Sequence, residues 1–233
     1  MSRETFLNFP IQLLQLAPDM RKMGNDVMDY AIYKHAKSLN GGLDERVKSA
    51  AKYFGITLGS IKSTIDNGQQ LHESIHPRSP MTGINRDLLF DFYQGNQPVD
   101  DIVALLAHLA IKSILGQKSF CRITTDFLLC RMAGYPNMDE VHELPEFLVP
   151  YATRRRMNRI KSDLRESYGL KIYARYTRGF FVSFSLSLED LIRQVEMKRQ
   201  KWSHQHQQAE ISNAVTKVLN ELYNGKDESI TRG

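Results

Sequence analysis

Two stretches of this sequence combine residue types and spacings that could do chemistry. The first is His72-Glu73-Ser74-Ile75-His76. On a helix it would set two imidazoles one turn apart to ligate zinc, with the glutamate between them as general base. Its context argues for a surface helix end instead. Pro77 follows at once and stops a helix, and neither His nor Glu recurs between Pro77 and Ala107 to complete a ligand set. Cys121 and Cys130, even with His108 or His142, lack the paired spacing of a metal site and read as buried apolar cysteines. There is no P-loop, no G-x-G-x-x-G and no G-x-S-x-G. The expectation is a protein that is not an enzyme and holds no metal or cofactor.

The second stretch is basic. The chain has 233 residues and a net charge of +5. Between Tyr151 and Arg178 stand Arg154, Arg155, Arg156, Arg159, Lys161, Arg165, Lys171, Arg175 and Arg178, opposed only by Asp163 and Glu166, so this segment carries +7 and the remainder −2. Basicity gathered in one place is the footprint of a polyanion binder, although a solvated helix face has the same composition.

The elements that must position these residues can be read in chain order. Phe6 to Leu16 is a short strand or loop, followed by a helix from Met20 to Leu39 that Asn40-Gly41-Gly42 stops. Leu43 to Phe54 and Leu58 to Asn67 are two further helices, with Gly68 as the C-cap of the latter. A break at His76 to Pro80 precedes a short helix, Arg86 to Tyr93. The polar turn Gln94-Gly95-Asn96-Gln97-Pro98 marks a domain boundary. Beyond it come an apolar helix from Val99 to Leu115, opened by Pro98, Asp100 and Asp101, a short strand at Phe120 to Ile123, and a helix at Thr125 to Ala133. After a long connection, Tyr151 to Tyr168 is a basic amphipathic helix ended by Gly169. Leu170 to Tyr176 and Phe180 to Leu186 are strands joined through Thr177-Arg178-Gly179. Leu188 to Tyr223 reads as one long helix or two, polar around His204 and His206 and frayed from Gly225.

The string A-K-Y-F-G-I-T-L-G-S-I-K-S-T-I, with Ala51, Gly55 and Ile61 at its packing positions, resembles the helix-turn-helix of the phage Cro and repressor family over Val47 to Asp66. A small residue suits the close helix crossing, and glycine suits a left-handed turn. Thr57 is placed to cap the second helix. The resemblance implies that Thr57, Lys62 and Ser63 face DNA, together with Leu58 and Gly59, which offer no hydrogen bonds to base edges.

From Val99 to Leu186 the order helix, strand, helix, helix, strand, turn, strand resembles the winged-helix family. Met157, Ile160, Leu164 and Tyr168 make one apolar face of the basic helix. The opposite face carries Arg155, Asn158, Arg159 and Ser162, types that read bases, flanked by Arg165. Arg154, Arg156 and Lys161 at the sides suit phosphates. Arg175 and Arg178 stand near the hairpin tip, where a wing meets the DNA backbone or minor groove.

The expected fold is mainly α with a small β-hairpin wing: a helix-turn-helix domain at 1–95, a winged-helix domain at 96–187 and a C-terminal helical extension at 188–233. The expected function is sequence-specific binding of double-stranded DNA by a transcriptional regulator. The alternatives are DNA replication, as an initiator of a plasmid or phage, and a winged-helix protein-interaction scaffold. The longest apolar stretch, Ile102 to Leu115, is too short to cross a bilayer, no N-terminal signal is visible, and two cysteines suit a reducing compartment, so a cytoplasmic location without membrane contact is expected. Ile211, Val215, Val218 and Leu222 form a heptad-like seam. It either packs on the chain's own core or pairs two copies as a homodimer.

Overall fold

The computed structural model of the chain describes residues 5–77, 79–94, 97–140, 143–174 and 179–227. It is mainly helical, with one two-stranded and one three-stranded antiparallel sheet. The chain divides into two compact units, Met1–Ser185 and Leu186–Gly233.

In the first unit, strand β1 (Phe6–Pro10) alternates as a half-buried strand must, with Leu7 and Phe9 in the core and Phe6 and Asn8 exposed. It pairs with β2 (Met81–Asn85) in the register Phe6↔Asn85 to Pro10↔Met81. The sequence reading has no strand at 81–85, because Met81-Thr82-Gly83-Ile84-Asn85 shows no strong alternation and its partner lies far away in the chain. Lys112 Nζ, on a helix packed behind this strand, donates to the Gly83 carbonyl at 2.8 Å. After β1 the chain turns into a 3-10 helix, Ile11–Leu16.

Helix α1 (Met20–Ser38) is capped by Asp19, whose carboxylate accepts from Lys22 N at 3.0 Å. Helix α2 (Leu43–Phe54) stops at Gly55, which adopts φ 65° and ψ 35°, a left-handed conformation costly for residues with a Cβ. Helix α3 does not end near Asn67: it runs from Leu58 to Ser74. Gly68 is therefore not its C-cap but an interior residue at the crossing with α1. A Cβ there would collide with the Asp29 carbonyl and the Tyr33 side chain. The glycine is spent on close helix approach rather than on a turn.

Helix α4 (Arg86–Gln94) precedes the central helix α5 (Val99–Leu115). Val103 through Ala107 and Leu109 through Ile111 are all buried, as expected of a helix covered on nearly every side. It packs against β2, against α6 (Thr125–Met132) and against α7 (Arg154–Tyr168). Strand β3 (Cys121–Ile123) lies between α5 and α6 in the chain, and β4 (Lys171–Tyr173) and β5 (Phe180–Ser183) follow α7. The sheet order is β3-β5-β4. The strands are shorter than the sequence suggests, and residues 175–178 at the hairpin tip lie outside the described residues. Buried apolar residues on both sides of the expected domain boundary at 94–98 belong to one continuous cluster.

The second unit contains helix α8 (Leu188–Asp227). Ser187 opens it: its hydroxyl accepts from Asp190 N at 3.0 Å and meets the Asp190 carboxylate at 2.7 Å. Among the described residues, no helix is long and apolar enough to cross a membrane.

Candidate nucleic-acid interface

The basic helix α7 is held by its apolar face. Met157, Ile160 and Leu164 are buried, and Tyr168 stacks on His108 of α5 with ring centroids 4.3 Å apart. Gly169, at φ 65°, closes the helix, and Leu170 N donates to the Leu164 carbonyl at 3.0 Å. The helix begins later than the sequence reading has it. Tyr151 belongs to a preceding 3-10 turn, Val149–Ala152, and Thr153 is the N-cap. Pro150 stands at the start of that 3-10 turn, where its missing N–H is not needed.

The basic residues of α7 fall into two groups. Arg154, Arg155, Asn158 and Arg165 are exposed and have no ion pair among the described residues. Arg156 and Arg159 are instead tied to Asp100, in the first turn of α5. Arg159 Nη1 lies 3.0 Å from Asp100 Oδ2, and Arg156 Nη1 lies 3.4 Å from Oδ1. The Tyr151 hydroxyl donates to the same Oδ1. Burial and this neighbouring carboxylate push the Tyr151 phenol up to about 12. Arg156 also lies over the Tyr151 ring, 5.6 Å from its centroid.

Two expected contacts are drawn inward. Lys161 Nζ sits 3.9 Å from the Phe180 ring centroid, and burial, aided by Arg165, holds its pKa below the usual lysine range. A cation over an aromatic face is partly satisfied there, so Lys161 is less available to a phosphate than its sequence position suggests. The Ser162 hydroxyl donates to Glu166 Oε1 at 3.0 Å. Arg175 and Arg178, the expected hairpin contacts, lie outside the described residues.

The α2–α3 pair presents a different surface. Ala51 and Ile61 are buried at the crossing, and Ile56 N donates to the Ala51 carbonyl at 3.0 Å. Thr57 occupies the N-cap position of α3, but its hydroxyl makes no bond to the helix N–H groups. Thr57 Oγ1 lies 2.9 Å from Ser60 Oγ instead, because a hydroxyl three residues on competes with the backbone for it. The Ser63 hydroxyl donates to the Ser60 carbonyl at 2.7 Å. Lys62 is exposed, and Leu58 is 55% exposed. Sequence reasoning missed Arg86, whose Nη1 donates to the Phe54 carbonyl at 3.0 Å and closes the end of α2. It also missed Asp100 as the partner of α7. The only signal was an acidic pair opening α5, which reads as a helix-dipole preference.

The His72–His76 string does not lie on one helix, since α3 ends at Ser74. The His72 ring packs against Tyr33 at 5.5 Å and Tyr30 at 6.0 Å, and His76 N donates to Gln12 Oε1. Among the described residues, no cluster of three or more His, Cys, Asp or Glu could hold a metal ion. Cys130 is buried and Cys121 half-buried, neither is in a disulfide, and burial pushes the Cys121 thiol up to about 11. His142 lies outside the described residues. Of the seam on α8, Val215 is exposed, while the side chains of Ile211, Val218 and Leu222 lie outside the described residues, as do those of His204 and His206.

Comparison with known proteins finds no matching family model, no matching curated protein and no matching solved structure.

Proposed function

We propose that this chain binds double-stranded DNA sequence-specifically through α7 and the hairpin that follows it, as a transcriptional regulator. One observation carries the reading. A helix fixed to the core by Met157, Ile160 and Leu164 turns Arg154, Arg155, Asn158 and Arg165 to solvent without ion pairs among the described residues. Arginine and asparagine on the free face of a rigid helix suit guanine and adenine edges in a major groove. The order α5-β3-α6-α7-β4-β5, with β5 between the other strands, is similar to the winged-helix plan and supports the assignment. In that plan Arg175 and Arg178 would meet phosphates or the minor groove.

A second observation favours the replication initiator as the runner-up. The α2–α3 pair, with Gly55 left-handed between its helices, is similar to a second DNA-binding unit, and two such units in one chain suit an initiator that binds repeated sites.

The test is a titration at several salt concentrations, on a duplex selected from a random pool and on a scrambled one. Arg155→Ala should cost about 1–3 kcal/mol on the selected duplex. Lys62→Ala should cost less, because its neighbours offer little readout. Arg178→Ala should weaken binding on both duplexes and lower the salt slope by about one. Loss of binding in Lys62→Ala with none in Arg155→Ala would make α3 the reader. Absence of salt-dependent binding to either duplex would favour the scaffold.

A further inference from the structure

We infer that Asp100 is a positioning residue for sequence readout: it holds Arg159 in a fixed pose on the face of α7, and it restrains sequence-independent attraction to phosphates. The inference rests on the DNA-binding reading of α7. Its geometry does not.

Asp100 is 27% exposed; it accepts from the Tyr151 hydroxyl and from Arg156 and forms an ion pair with Arg159. Tyr151 fixes the carboxylate from the 3-10 turn ahead of the helix, and the Tyr151 ring backs Arg156. Arg159 meets Asp100 through Nη1, and its side chain remains 63% exposed. One corner of the guanidinium is thus anchored while the rest of the fork faces solvent. Arg159 stands one helical turn from Arg155 and next to Asn158, on the stripe that carries the uncommitted readers.

Arginine reads guanine by placing two N–H groups on O6 and N7 together. A free side chain must surrender rotamer freedom to do so at the moment of binding. One already anchored by a carboxylate has lost part of that freedom in the folded protein, and its plane is set beforehand. The negative charge acts in the same direction on specificity. It offsets part of the positive field of α7 and so weakens attraction to any phosphate backbone, whatever the sequence. Arg154, at the side of the helix and without such a partner, provides general attraction. If Asp100 only tied α5 to α7, its loss would lower stability and leave base preference alone.

The test compares wild type, Asp100→Asn, Arg159→Lys and the double variant on the duplex selected by the wild-type chain and on its scrambled counterpart, with thermal melting as a check of folding. Asparagine keeps the shape of the side chain and removes its charge. Asp100→Asn should weaken binding to the selected duplex, tighten binding to the scrambled one, lower their affinity ratio about tenfold, and steepen the salt slope by about one. Arg159→Lys keeps the charge but loses the fork, so it should lower the ratio by a similar factor. The double variant should lose little more than either single one, because both changes act on one interaction. An unchanged ratio in Asp100→Asn, or losses that simply multiply in the double variant, would overturn the inference while leaving DNA binding by α7 intact. Should Asp100→Asn fail to fold, Arg159→Lys decides alone, and an unchanged ratio overturns the inference. A wild-type chain that does not distinguish the two duplexes would overturn the reading of α7, and this inference with it.

Discussion

Helices α3 and α7 both expose polar side chains, yet they are held by opposite means. Helix α7 is held by what it has: Met157, Ile160 and Leu164 fill the space beside α5. Helix α3 is held in part by what it lacks, since Gly68 lets the α1 backbone approach where any side chain would collide. Their outward faces differ too. On α3 the hydroxyls of Ser60 and Ser63 are turned back on the helix backbone, and Lys62 is the cation of its exposed first turns. On α7 the arginines divide between solvent and Asp100. A helix anchored by bulky side chains on one face can carry a dense charge on the other. One packed closely by a glycine crossing does not thereby become a reading surface.

The largest expected effect tests the α7 anchor. Ile160→Ala should lower unfolding free energy by about 4 kcal/mol in denaturant titration, because the side chain is fully enclosed and the cavity cannot collapse around a rigid helix. A loss below about 1 kcal/mol would mean that α7 rests on its ends rather than on its apolar face.

The next concerns the back of the same helix. His108 stacks on Tyr168 and meets Phe184 edge-on, and its Nδ1 is buried with no hydrogen-bond partner among the described residues. Burial, with Lys112 nearby, lowers its pKa from 6.5 to about 4. The unfolded chain therefore takes up a proton below pH 6.5 that the folded chain refuses until about pH 4. Stability attributable to this group is present in full above pH 6.5 and should fall by roughly 3 kcal/mol as pH drops through that window. His108→Phe keeps an aromatic stack and should flatten this dependence. An unaltered acid-unfolding profile would place the titration elsewhere.

A smaller effect is expected at the α3 crossing. Gly68→Ala should cost about 2 kcal/mol as α1 and α3 are forced apart, whereas the same change at Gly59, where a Cβ meets nothing within 4 Å, should be neutral or slightly stabilising. Equal melting temperatures for the two variants would refute the glycine-notch account of α3.

The smallest separates two threonines in the same formal position. Thr124 caps α6, accepting from Phe127 N at 3.2 Å, whereas Thr57 makes no such bond. Thr124→Ala should cost about 1 kcal/mol and Thr57→Ala less than half of that. Equal costs would restore Thr57 as a working cap.

These contrasts mark where the sequence was legible. The span of α2, its stop at Gly55, the apolar face of α7 and its stop at Gly169 all depend on residues within a few positions of one another, so periodicity and glycine punctuation reveal them. The mainly helical composition was legible for the same reason. The candidate site was half legible: the exposed group of Arg154, Arg155, Asn158 and Arg165 follows from helical phase, but the capture of Arg156, Arg159 and Lys161 does not.

Sequence alone determined what local backbone preference and side-chain phase can determine: that the chain is mainly helical, which face of α7 is apolar, and that positive charge gathers along it. Tertiary structure decided what needs a partner from far along the chain. Asn8 faces Gly83 only because β1 and β2 meet, Gly68 is a contact only because α1 crosses α3, and Asp100 holds Arg159 only because α5 lies beside α7. The physical reason is that each of these residues is locally unremarkable. A glycine within a helix, an aspartate in a first turn and a short polar strand acquire a role only when hydrophobic burial brings their distant partners within reach.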